Sequence, residues 1–162
     1  MNCFWASRGV GDIESCVAKV VLMSIKPRFA EAILSGCKHC EFRRAPFSQP
    51  VSHIIIYSTS PIQKIVGVVE VTGVEQSDLA TIKERFLIDG HISECEFDQY
   101  FKGKAQGTAI LLGSRFRLEE PVDINALWID VFPPQSYCYL QPERVSSVTN
   151  MLPLLSDYKP TA

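Results

Sequence analysis

The sequence predicts an α+β fold: a small mixed β-barrel of five to six strands with helices inserted between them. Three observations carry that expectation. Apolar, β-branched runs recur along the chain ("VVLMSI", "HIIIYST", "KIVGVVEVTGVE"), and such short runs read as buried strands. Glycines sit inside the longest of them, the pattern of a sheet bent by bulges. Helix start and stop signals separate the runs. With 162 residues the chain is expected to form one domain around a single core.

In chain order, residues 1–18 show no periodicity and read as an N-terminal arm. "VVLMSI" (20–25) is a strand buried on both faces. Pro27 then occupies the first turn of a helix, where its missing N–H leaves nothing unpaired. Phe29, Ile33 and Leu34 recur at helical spacing, and Gly36 supplies the left-handed stop. "KHCEFRR" (38–44) alternates, with Lys38, Cys40 and Phe42 on one side and His39, Glu41 and Arg43 on the other. Strands at 53–59 and 64–75 follow, then a helix over 78–88. "SECE" places Ser93 and Glu96 in a capping box that opens a further helix, with Phe97, Tyr100 and Phe101 on its apolar face. "GTAILLGSRFRLEEPVDI" reads as a long strand, "PPQSYCYL" (133–140) as a short extended piece, and residues 141–155 as a helix opened by Pro142. The expected organisation is an arm (1–18), a domain (19–140) and a C-terminal helix and tail (141–162).

The hydrophobic fraction of 46% and charged fraction of 21% are those of an ordinary globular protein. No apolar run approaches the 18 or so residues of a membrane-spanning helix, so no membrane is expected as a partner. The first residues lack the basic segment and apolar stretch of a signal peptide, which points to the cytoplasm. Six cysteines (3, 16, 37, 40, 95 and 138) suit a reducing compartment better than a disulfide scaffold. "CKHC" at 37–40 has no second ligand pair for zinc, and it follows a helix instead of opening one, where a redox CxxC gains thiolate character. Packing cysteines are expected, with no metal.

The net charge of −2 hides an asymmetry. Residues 19–44 hold six basic side chains (Lys19, Lys26, Arg28, Lys38, Arg43, Arg44) against Glu31 and Glu41. Residues 74–101 hold seven acidic ones against Lys83 and Arg85. A local basic patch on a mildly acidic chain argues for a particular anionic ligand and against general DNA coating. Lys38, Glu41, Arg43 and Arg44 follow a tight helix-to-strand turn, either as a binding cluster or as a solvated, salt-bridged strand. Tyr57, Ser58, Thr59 and Ser60 end a strand with hydroxyls suited to phosphate or a base edge, or simply to a turn. The chain has no GxSxG, P-loop, GxGxxG or HExxH, and its three histidines follow no metal spacing, so no cofactor is expected.

"SIKPRFAEAILSGCKHCEFRR" (24–44) resembles the signature of the ASCH domain, an apolar strand, SIKP, a short helix ending in Gly, then G-x-K-x-x-E-x-R. The resemblance continues through "IIIYSTSPIQKIVGVVEV", "ISECEFDQYFKG" and "PPQSYCYL", over roughly residues 20–140. It implies a PUA-like barrel with a cleft beside the first helix that accepts RNA or a modified nucleoside. Lys26, Arg28, Lys38, Glu41, Arg43 and Arg44 would then line or flank the cleft, with Tyr57, Ser58, Thr59 and Ser60 on the facing strand. Some small members similar in motif hydrolyse the amide of N4-acetylcytidine with a lysine matching Lys38, a threonine and a helical glutamate. Glu41 stands where that threonine would be, and Glu94 or Glu96 would be the glutamate. RNA or nucleotide binding is the expected function; the alternatives are that amidohydrolase and a protein-interaction module in transcription, with the acidic, aromatic 74–101 segment as its surface.

Overall fold

The computed structural model describes residues 17–159. The expected N-terminal arm lies almost entirely outside them. The elements are β1 (Lys19–Ile25), α1 (Pro27–Leu34), β2 (Cys40–Arg43), β3 (Val51–Ser58), β4 (Lys64–Asp78), α2 (Leu79–Phe86), α3 (Glu94–Tyr100), β5 (Gln106–Val122), α4 (Ile124–Leu127), β6 (Tyr137–Tyr139) and α5 (Pro142–Ser146), then a 3-10 turn, Pro153–Leu155. One mixed sheet joins the six strands in the order β2-β5-β4-β3-β1-β6. β1 and β3 run parallel with Leu22 opposite Ile55, and the other pairs are antiparallel. β4 and β5 slip register on either side of Val71, next to Gly73, so the glycine-bearing run does carry bulges.

In place of the expected barrel, the described residues form an open sheet: β2 and β6 are its edges, and among the described residues no backbone ladder joins them. Side chains cross the gap instead. The Arg43 guanidinium of β2 donates to the Ser24 carbonyl of β1 (3.1 Å) and to Ser136 Oγ beside β6 (3.3 Å). The Tyr139 hydroxyl oxygen of β6 accepts the backbone N–H groups of Ser48 (3.1 Å) and Gln49 (3.0 Å) from the loop after β2.

Apolar side chains fill three spaces. One face of the sheet (Val21, Met23, Ile54, Ile56) packs on Ala30, Ile33 and Leu34 of α1. The opposite face (Val20, Leu22, Ile55, Val68) is covered by Trp128, Val145, Val148, Leu152 and Leu155. The third cluster joins Cys40, Phe42 and Ala109 to Ile82, Phe86, Phe97 and Phe101 of α2 and α3. The helix expected over 141–155 is the short α5 followed by turns, and it is part of the core instead of an appendage. No helix among the described residues is long and apolar enough to cross a membrane.

Candidate functional site

The site starts at the end of α1. Gly36 (φ +86°) takes the left-handed conformation that stops the helix. The Cys37 and Lys38 N–H groups then both donate to the Ala32 carbonyl (2.9 Å each). Arg115 of β5 clamps the turn, donating to the carbonyls of Ile33 (2.8 Å) and Gly113 (3.0 Å). The loop between α2 and α3 closes it from the other side, where the Asp89 carbonyl accepts from His39 N (2.8 Å) and Cys40 N (3.0 Å).

This turn sends Lys38 inward. The strand begins only at Cys40, and the alternation expected from residue 38 does not appear in burial: Lys38, Cys40, Glu41 and Phe42 are all buried. Lys38, 2% exposed, donates from Nζ to the Gly90 carbonyl and lies 3.4 Å from Glu41 Oε2. Its ammonium also lies over the rings of Phe29 (4.7 Å) and Phe42 (5.5 Å), a contact that favours a cation. Glu41 Oε1 is 3.1 Å from Arg43 Nη2. Two cations thus share one carboxylate in a place with little water, where the remaining positive charge is weakly screened. Arg43 Nε is buried without a hydrogen-bond partner among the described residues.

A cleft of about 340 Å³ opens onto this group. Ser24, Lys26, Phe29 and Thr59 form part of its wall, and Ile92, Tyr100 and Gln135 come from more distant segments. The Tyr100 hydroxyl donates to the Phe42 carbonyl (3.2 Å), and burial pushes its phenol up from the usual value.

The structure therefore brings together Lys26, Lys38, Glu41, Arg43 and Thr59, but not the whole expected set. Arg28 is exposed on α1 and paired with Glu96, whose carboxyl is held down at about 2, first by that guanidinium and then by Ser93. Arg44 is exposed and donates to the Lys102 carbonyl (3.0 Å). Tyr57 points to the opposite face, into the core around Trp128, and does not line the cleft. Ser58 is buried and Ser60 is exposed, both off the cleft wall. Glu94 pairs with Lys83 (3.3 Å) on the outer side of α3. Gly90, Phe29, Phe42, Tyr100 and Gln135 escape sequence reasoning as site residues, because tertiary contacts alone bring most of them to Lys38. The Cys40 thiol is pushed up to about 12, chiefly by burial, as a packing cysteine's would be.

A family model for the ASCH domain matches residues 23–113, more than half of the chain. The chain belongs to the ASCH domain family. The matched ASCH segment contains α1, the Lys38 turn and β2, and it ends in β5. A curated relative, the ASCH domain-containing ribonuclease of Zymomonas mobilis, is 31% identical over 137 residues, covering 82% of this chain and 92% of the relative. The crystal structure of ASCH from Zymomonas mobilis has a TM-score of 0.77 at 30% identity, covering 82% of this chain and 95% of that one. The N-terminal domain of Staphylothermus marinus McrB shares the ASCH fold alone, with a TM-score of 0.51 at 14% identity over 83% of this chain and 94% of that one.

Proposed function

We propose that the cleft binds single-stranded RNA, seating one nucleotide with its phosphate toward Lys38 and Arg43. The observation that carries this reading is the buried Lys38–Glu41–Arg43 group, two cations to one carboxylate, facing a cleft of nucleotide size. A phosphate oxygen is a strong acceptor for such donors. The likeness to an ASCH domain-containing ribonuclease supports RNA as the polymer. A cytoplasmic setting, which keeps thiols reduced, suits the free Cys37, Cys40, Cys95 and Cys138.

Few cationic contacts imply a shallow salt dependence, about 0.7 in log–log slope for each phosphate engaged on a single strand. The test is fluorescence anisotropy with short RNA, the matching DNA and nucleosides. Wild-type protein is expected to prefer RNA, with Arg43→Ala and Lys38→Met each weakening it. Binding no tighter than millimolar for every ligand would falsify the reading.

RNA cleavage is a second reading, favoured by the same relative's ribonuclease designation. It is checked by incubating labelled RNA with wild-type and Lys38→Met protein and following fragments. The amidohydrolase alternative needs an unpaired Lys38 with a helical glutamate beside it. Lys38 is engaged by Glu41 and Gly90, while Glu94 and Glu96 are held by Lys83 and Arg28. The protein-interaction alternative draws on the α3 rings, of which Phe97 and Phe101 are buried in the core.

A further inference from the structure

Phe132 is 80% exposed, and no described residue covers it. Its surroundings hold it in that position. Trp128 and Val131, just before it, are buried in the core, and the Trp128 indole N–H donates to Ser147 Oγ (3.1 Å). Asp130 turns the chain between them with φ +62°. Pro133 and Pro134 follow; they fix their own φ and hold the residue before them extended. Ser24 Oγ then donates to the Pro134 carbonyl (2.6 Å). An exposed phenyl ring is thus carried on a short segment tied down at both ends.

That segment runs directly into the cleft. Gln135 and Ser24 are both part of the cleft wall, and Ser136 is bonded to Arg43. Phe132 and Pro134 are two positions apart, so their Cα atoms lie within about 7 Å. The two rims differ in charge. The α1 side carries exposed Lys26 in the cleft wall, while the segment before Phe132 carries exposed Asp130. A phosphate is therefore attracted to the α1 rim and repelled near Phe132, leaving a base face as the part of a nucleotide that suits the ring.

On the RNA reading above, we infer that Phe132 is a stacking platform for the nucleobase next to the one held in the cleft. The site engages two successive nucleotides, one by its charge and one by its π-face. Base–aromatic stacking tolerates any base, so this second position adds affinity without sequence selection.

The test is anisotropy with a fluorescein-labelled random-sequence hexaribonucleotide. Phe132→Ala and Phe132→Leu are each expected to weaken binding roughly tenfold, and Phe132→Trp to restore it. Because the ring is exposed, the urea midpoint of unfolding should stay unchanged in all three variants. Leucine tells stacking from general apolar contact, since it keeps the apolar bulk without the π-face. Wild-type affinity in both Ala and Leu variants, with Arg43→Ala still weakened, overturns the stacking platform and leaves the RNA reading intact. Wild-type affinity in Leu alone overturns it in favour of an apolar contact. Self-association of the wild type that Phe132→Ala abolishes, with RNA affinity unchanged, makes the ring a contact between copies and also overturns it. Absence of hexamer binding by the wild type overturns both readings.

Discussion

Glu41 is the carboxylate between two cations, so its removal differs in kind from removal of either partner. Lys38→Met leaves Glu41 paired with Arg43, whereas Glu41→Leu leaves two positive charges close together and largely buried. Stranding buried charge costs about 3–5 kcal/mol. Glu41→Leu should therefore be the more destabilising change, and the Lys38→Met/Glu41→Leu double variant should regain part of the loss, measured by urea unfolding. An equal loss in both single variants would show that Arg43 does not hold Glu41. Gly90 offers a second check. A Cβ there would run into the Phe42 ring, and the same residue's carbonyl accepts from Lys38. Gly90→Ala should lower the melting temperature and weaken RNA binding together, whereas Ser60→Ala, off the cleft, should change neither.

At the scale of elements, α3 rests on a capping box in which Ser93 Oγ accepts from Glu96 N and Glu96 reaches back to Ser93 N. Ser93→Ala should cost about 1 kcal/mol in the urea midpoint, and its effect should reach the cleft, because Tyr100 ends that helix. The box, the Pro27 start and the Gly36 stop were legible in sequence because each depends on residues a few positions apart. The Lys38, Glu41 and Arg43 positions were legible for the same reason. The direction of Lys38 was not, since period-two alternation assumes a strand and Lys38 precedes β2. Tyr57 misled similarly: β3 is buried on both faces, and alternation does not say which face holds a cleft. Gly90 and Gln135 lie 52 and 97 positions beyond Lys38, with no local pattern to link them.

For the whole molecule, the C-terminal segment matters more than its place in the sequence suggested. Leu152 is fully buried against the sheet, and Leu152→Ala should cost about 2–5 kcal/mol by urea unfolding. His53 adds a pH dependence. Burial lowers its pKa below the ordinary 6.5, against the opposing pull of Glu70 and Asp157. The unfolded chain then binds the proton more readily, so stability is complete above about pH 6.5 and declines as pH falls below it. His53→Gln should flatten that decline between pH 7 and 5. Loss of stability at the same rate in the variant would assign it to other groups.

The gap between β2 and β6 also bears on how copies of the chain meet each other. An open sheet exposes two rows of backbone groups to which a strand from another copy can add. Here those rows are only four and three residues long. On the β2 edge, Tyr100 occupies the Phe42 carbonyl and the Asp89 carbonyl the Cys40 N–H. Tyr100, a side chain of the cleft wall, therefore also blocks growth of the sheet from one molecule into the next at the β2 edge. Tyr100→Phe, which frees the Phe42 carbonyl, is expected to raise the tendency to form strand-paired aggregates on concentration, visible as thioflavin fluorescence that the wild type lacks.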